Sequence, residues 1–417
     1  MSNKHSLTTK AYLVPFIFIS FLFFLWGIAH GMIDTLDKHF QQILHLTKSQ
    51  SSLIQFSLYG AYFGMALPAG FFMRRFGYKK GIVLGLLLFA TGAFLISGTT
   101  SFESFWIFLS CLFILGCGLA TLETAANPYV TKLGTKESAA QRINFSQSFN
   151  GLAWVIGPLI GLYIYGNQDV APGEKLTSMI IPFASIGIVV LIVALILLRL
   201  PLPEISEEES GHGHGHGIIE TSANEKSTFH KPLIKQQHFV MGVISQFCYV
   251  AAQTGIFSYL INFVTDKSQY PRFDVQNGPY FLSIGFALFM IGRMSGSYIM
   301  ARVKPARILA INAGLSIFLL PIVSINLGWI SLIALYTIFL LMSIMFPTIF
   351  ALGIKDLGTQ TKKGASIIVM AVVGGAVFPP FMGHISDLYS MSIGFLAPIP
   401  LFMFILYYAL KGHHVRS

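Results

Sequence analysis

YLVPFIFISFLFFLWGIAHGMIDTL, residues 12–36, decides the fold of this chain. The 22 positions 12–33 hold no Asp, Glu, Lys or Arg. A helix of that length rises about 33 Å, enough to cross a hydrocarbon layer about 30 Å thick. Within lipid every backbone N–H and C=O must find a partner inside its own segment, so the run is a helix and not a strand. No small-residue cleavage site ends it, and it continues straight into Asp34. It therefore reads as a retained spanning helix, not a removable leader.

Eleven further runs of this kind follow. With the first they cover 12–36, 50–73, 80–99, 104–131, 142–165, 178–199, 237–264, 277–301, 306–325, 328–354, 364–386 and 391–411. Composition agrees: 54% of the residues are hydrophobic, 38 are Phe and only 11% are charged, against about a quarter charged in soluble proteins. The sequence predicts an all-α membrane protein of twelve transmembrane helices. The net charge of +10 falls in short clusters between apolar runs, which is a topology signal and not a nucleic-acid-binding face. With the N-terminus inside, 21 of the 27 Lys and Arg lie in inside loops, 5 lie outside, and Arg293 lies within a run. Both termini are therefore expected in the cytoplasm. Cys111, Cys117 and Cys248 sit inside apolar runs with no CxxC spacing and read as small buried hydrophobes.

Residues 201–236 have another composition, with Glu207 to Glu209 and GHGHGHG at 211–217. His212, His214 and His216 read as a solvated tract, since nothing fixes a ligand geometry. The expected organisation is an N-terminal six-helix bundle (1–200), a cytoplasmic linker (201–236) and a C-terminal six-helix bundle (237–417). The halves echo one another. Pro128 is followed six residues later by Gly134, and Pro347 six residues later by Gly353; Gly157-Pro158 has its counterpart in Pro379-Pro380.

Few charges cannot be pushed into a loop: Asp34, Glu123 and Arg293. A charge at the bilayer centre costs at least about 2.5 kcal/mol, so it faces a cavity or a partner. Trp26, His30 and Asp34 are spaced i, i+4, i+8 and share one face. Desolvation favours the neutral form of a carboxylate, which is what a proton-coupling group needs and what makes Asp34 the proton candidate. Glu123 lies inside the fourth run with Asn127 one turn on. Asn144, Gln147 and Asn150 form a polar stripe on the fifth helix, beside Arg142 at its start. Gln246, Tyr249 and Gln253 do the same on the seventh, with Asn262 further out. Amides donate and accept, which suits sugar hydroxyls, and an aromatic face beside them suits a pyranose ring. The same side chains also serve as glue between membrane helices, and periodicity alone leaves both readings open. Arg293 is expected on a carboxylate or on backbone carbonyls.

Four stretches carry a resemblance: LETAANPYVTKLG (122–134), RINFSQSFN (142–150), QFCYVAAQTGIFSYLINF (246–263), and FPTIFALGIKDLG with TKKGASIIVMAVVGG (346–375). They resemble the fucose permease and glucose/galactose transporter family of the major facilitator superfamily. That resemblance implies two six-helix pseudo-repeats enclosing a central cavity, with the site between the halves. It implies a proton-translocating aspartate at Asp34, a sugar-recognising glutamate at Glu123, and pocket amides at Gln147 and Asn150. Where the fucose permease pattern is rich in asparagine, this chain reads His30-Gly31-Met32-Ile33. Arg74 stands where the general superfamily loop has an acid, as in the fucose permease branch. The function implied is import of a hexose-type sugar with a proton by alternating access, across a bacterial inner membrane. The expected partners are the sugar, protons and the bilayer, with no cofactor and no nucleic acid, the protein acting as a monomer. Sodium coupling, drug efflux and a non-transporting sugar sensor are the other readings. No nucleophile–base, HExxH or P-loop pattern points to an enzyme.

Overall fold

A computed structural model describes residues 8–99, 104–134, 139–166, 180–200, 232–266, 274–300, 303–355, 357 and 361–414. Most of the 201–236 segment lies outside the described residues.

The opening run becomes α1 (Leu13–Ile43), longer than the apolar pattern because Asp34 and Asp37 are held inside the helix. A short turn of helix, Lys48–Ser51, is closed by a capping box in which Thr47 accepts from the Gln50 N–H and Gln50 accepts from the Thr47 N–H. The first half continues with α2 (Leu53–Phe76), α3 (Tyr78–Thr99), α4 (Phe105–Lys132), α5 (Ala139–Gly166) and α6 (Ile180–Arg199). The second half has α7 (Gln237–Ser258, continued by Leu260–Val264), α8 (Gly278–Met300) and α9 (Pro305–Ile325). α10 is split into Trp329–Met342 and Met345–Gly353. α11 joins Thr361–Met370 to Gly374–Leu388 through a 3-10 turn, and α12 runs from Met391 to a π-helical turn ending at Gly412. The twelve spans of the sequence reading all appear. Among the described residues, ten stretches are long and apolar enough to cross a membrane by themselves; α5 and α8, the helices carrying the amide stripe and Arg293, complete the set.

Helix neighbours repeat with a shift of six. α1 packs on α5, α2 on α4, α3 on α4 and α6; α7 packs on α11, α8 on α10, α9 on α10 and α12. α5 against α8 and α2 against α11 join the two sets. One buried core spans Phe16 to Leu197 and a second spans Cys248 to Ala409. Outward, Phe71, Trp106 and Phe318 are each about two-thirds exposed (65%, 69% and 68%). In water such surface is costly; against lipid tails it is neutral.

Glycine sets the closest approach. A Cβ on Gly157 of α5 would sit 2.6 Å from the Gly31 Cα of α1, which no real packing allows. These two glycines let the backbones of α1 and α5 touch, and that contact places Asn150 and Trp154 beside Trp26 and His30.

Candidate functional site

Alternation of the spans puts the start of α1 and the ends of α6 and α12 on one face, called here the terminal face. The end of α1, the start of α2 and the ends of α7 and α11 lie on the opposite, far face.

Asp34 is buried between the halves with 6% of its surface exposed. Its Oδ1 accepts Gln55 Nε2 of α2 at 2.7 Å and Ser258 Oγ of α7 at 3.0 Å. Asp34 therefore ties α1 both to its own half and to the other. Both donors reach the same oxygen, which leaves Oδ2 as the oxygen able to hold a proton. A small cavity lies beside it, lined by His30, Asp34, Tyr59, Trp154, Thr254 and Phe257 among others, with room for about one water molecule.

Aromatic rings wall this cavity. His30 stacks on Trp154 at 5.9 Å with a 12° interplanar angle and meets Tyr62 edge-on at 5.7 Å. Its Nδ1 is satisfied by the Trp26 carbonyl at 3.1 Å. Trp154, from α5, meets Phe286 of α8 at 5.1 Å and Phe257 of α7 at 6.1 Å, so it is a first-half ring seated in the second half's core. Trp26 is buried against Phe23.

Glu123 is half-buried on α4, and the Tyr62 hydroxyl approaches it without closing a hydrogen bond of good geometry. Gln147 Nε2 reaches Asn127 Oδ1 at 3.4 Å, so the α4 and α5 polar residues meet as a pair. Glu123, Asn127, Gln147 and Gln253 all keep some exposed surface. Asn150 instead donates to the Phe23 carbonyl at 3.1 Å and binds α5 to α1. Tyr249 donates to the Met342 carbonyl at 2.9 Å. Gln246 is wholly buried with neither amide atom paired. The Asn144 side chain lies outside the described residues. Arg293 Nε donates to the Ser343 carbonyl at 3.4 Å, and its guanidinium lies 4.9 Å from the Phe289 ring centre.

The far face is shut by bonds between the halves. Asp387 of α11 accepts the backbone N–H of Lys48 at 3.0 Å and of Ser49 at 2.9 Å, with Lys48 Nζ at 3.5 Å. Tyr259 donates to the Lys48 carbonyl at 3.0 Å, and Asn262 Nδ2 to Gln41 Oε1 at 2.8 Å. Gln55, Tyr59, Tyr62, Trp154, Thr254 and Ser258 were not singled out from the sequence. Gln55, Thr254 and Ser258 did carry a signal, as polar residues well inside apolar runs.

Residues 16–372 match the model of the Major Facilitator Superfamily. The chain belongs to that superfamily. It is 35% identical to the L-fucose-proton symporter of Escherichia coli (strain K12), over 92% of this chain and 90% of that protein. It is 33% identical to the glucose/galactose transporter of Brucella abortus biovar 1 (strain 9-941), over 94% of this chain and 93% of that one. A crystal structure of FucP, a Major Facilitator Superfamily transporter in the outward conformation, is 34% identical and superposes with a TM-score of 0.70, covering 96% of this chain and 99% of that one. The family resemblance drawn from the four sequence stretches is thus shown. The chain is a multi-pass membrane protein of a transporter family, and not an enzyme.

Proposed function

We propose that the protein is a symporter that carries a hexose-type sugar together with a proton by alternating access. The names of its relatives support sugar and proton as substrates. The observation that carries the coupling is Asp34, a buried carboxylate bonded across the junction of the halves to Ser258. Closing the far face strips water from this group, and an ionised carboxylate is costly to bury. With a proton on Oδ2 the closed state is less costly, so proton binding from the far side favours closure. A sugar enters the same cycle at Glu123, with Asn127 and Gln147 beside it and Gln246 and Gln253 facing from α7. Trp26, His30 and Trp154 offer ring faces. Asn144, Asn150 and Tyr249 act mainly as supports in this reading, since the last two spend their donors on carbonyls.

The far face is shut here, and the cavity beside Asp34 has room for about one water, so a hexose has no room at Asp34 in this conformation. We take this as a state closed to the outside, with the terminal face cytoplasmic and the membrane the bacterial inner membrane. The division into bundles at 1–200 and 237–417, joined by the 201–236 linker, is part of the same proposal and is supported by the repeat of helix neighbours. So is a monomeric working unit, since each chain holds both halves of the site.

The test is sugar-induced alkalinisation of a weakly buffered cell suspension. Fucose, galactose, glucose, mannose and N-acetylglucosamine are added in turn, with Asp34→Asn beside the parent. A rise in external pH with one sugar, lost in Asp34→Asn while sugar exchange persists, is expected. Labelled uptake with no pH change for any sugar overturns proton coupling and points to sodium or to facilitated diffusion.

A further inference from the structure

Asp37 is a buried carboxylate for which the transport cycle above has no role. It lies almost one turn beyond Asp34 on α1, with none of its surface exposed. Its Oδ1 accepts Gln41 Nε2 at 3.2 Å, and its Oδ2 is buried with no partner. Gln41 carries the connection onward. Its Nε2 also donates to Ser51 Oγ at 2.8 Å, and its Oε1 accepts from Asn262 of α7 at 2.8 Å. Asp37 is thus joined, through one amide, to a contact that shuts the far face.

The charged and titratable groups around it come from four elements. Asp34 and Lys38 share its helix, Tyr259 faces it from α7, and Asp387 from α11. Lys48 of the short helix and Asp266 act on Lys38 in turn. Lys38 attracts negative charge while Asp34 and Asp387 repel it, and Lys48 is engaged with Asp387 at 3.5 Å. A charge here has the Gln41 amide and the neighbouring Ser51 hydroxyl to donate to it and Lys38 as a more distant cation, with no ion pair within 4.0 Å among the described residues. A lone buried carboxylate in such surroundings is far less favourable than its neutral form.

Asp34 lines the central cavity, whereas Asp37 does not. When the far face opens, the Gln41–Asn262 contact parts and Asp37 meets water from that side only. We propose that Asp37 is a second proton-binding site, distinct from the coupling carboxylate, which takes a proton from the far side as that face closes and returns it to the same side on opening. The proton forms an O–H bond on Oδ2 and is never delivered to the terminal face. It therefore adds nothing to the protons carried per sugar; it makes acidity on the far side favour closure. Its meaning as a gate rests on the transport reading, but its protonation does not.

The experiment follows the far-face distance in the full-length protein, reconstituted without sugar. Spin labels are attached at Gly98→Cys and Gln276→Cys, both exposed at that face, where a Cβ on Gly98 would meet nothing within 4 Å, with Cys111, Cys117 and Cys248 replaced by serine. The ratio of closed to open distances is read between pH 5 and 9. Each proton linked to closure changes that ratio by up to about tenfold per pH unit. The parent is expected to approach a two-proton slope, Asp34→Asn and Asp37→Asn one each, and the double variant none. Asp37→Glu, which keeps the carboxylate, keeps the second step and guards against a folding defect in Asp37→Asn. A parent-like slope in Asp37→Asn, or a flat response in Asp34→Asn alone, overturns the proposal. So does a distance that follows sodium concentration and not pH. If Asp37→Asn loses one step while no sugar moves protons, the second site stands and the symport reading falls.

Discussion

α4 and α10 occupy equivalent places in the two halves, aligned by Pro128 with Gly134 and Pro347 with Gly353. Five residues before each proline the two differ: Glu123 stands in α4 and Met342 in α10. α4 runs unbroken from Phe105 to Lys132 and carries a carboxylate. α10 carries none and breaks at Ser343 and Ile344, just after Met342. Three successive carbonyls at the break are then met by side chains from three helices: Leu341 by Asn312 of α9 at 2.8 Å, Met342 by Tyr249 of α7, and Ser343 by Arg293 of α8. Such carbonyls would otherwise be orphaned in a low-dielectric interior, and each is costly unpaired. One scaffold has thus been put to two uses. The first half keeps this helix intact with a carboxylate on it; the second breaks it and sets Asn312, Tyr249 and Arg293 on the bend. That is why Tyr249, read from the sequence as a pocket residue, is found bonded to backbone, while Gln147 and Asn127 meet each other beside Glu123.

The strongest way to break this comparison is to exchange the roles of the aligned positions. Glu123→Gln is expected to lower sugar uptake by about 100-fold, since a hydrogen bond to a charged group contributes about 1.5–3 kcal/mol and a bound sugar would lose more than one. Met342→Leu, at the aligned position, is expected to stay within about threefold, because a volume-conserving swap costs under about 1.5 kcal/mol. Radiolabelled uptake in cells, normalised to protein in the membrane, reads both. Equal losses in the two variants would mean that the halves share the sugar evenly, contrary to the division of labour drawn here.

Next in size is the bend itself. Asn312→Ala leaves the Leu341 carbonyl buried and unpaired, and Tyr249→Phe does the same to Met342. Each is expected to cost about 1–3 kcal/mol of stability and to lower the melting midpoint of the purified protein, with sugar specificity unchanged. If Tyr249→Phe left the melt untouched and altered which sugar is taken, Tyr249 would belong to the pocket after all.

These differences mark how far the sequence could be read. All twelve spans were legible, because apolar runs of about 20 residues with at most one charge have one physical solution in lipid. Asp34 and Glu123 were legible as residues too costly to sit there idly. Asp37 was not, since it follows Asp34 so closely, beside Lys38, that the pattern reads as a run ending at a wet interface; only the fold shows α1 continuing to Ile43 with Asp37 inside. Ser258, Gln55, Tyr259 and Trp154 act through partners hundreds of positions away or on another helix, and periodicity along one helix carries no record of which residue will face it. The break in α10 was only half marked: Pro347 has no N–H to give the Ser343 carbonyl four residues back, but Pro128 stands at the aligned position in the unbroken α4.

The smallest effect separates the two sides of the far-face latch. On the second half the latch is a side chain, Asp387; on the first it is mostly backbone, the N–H groups of Lys48 and Ser49. The Lys48 ammonium adds only a 3.5 Å pair with both side chains over a fifth exposed (28% and 22%), and exposed ion pairs contribute about 0–1 kcal/mol. Lys48→Ala is therefore expected to shift the closed fraction by at most about fivefold in the spin-label measurement and to weaken its salt dependence. Asp387→Ala removes both backbone bonds and leaves two N–H donors at the start of a helix without their anion, so it should open the face by tenfold or more, at about 1.5–3 kcal/mol. Should Lys48→Ala match Asp387→Ala, the latch would be an ion pair and not a capped helix start. A cap explains better why the first half needs no special residue there: any sequence offers backbone N–H groups once Thr47 and Gln50 have set the turn.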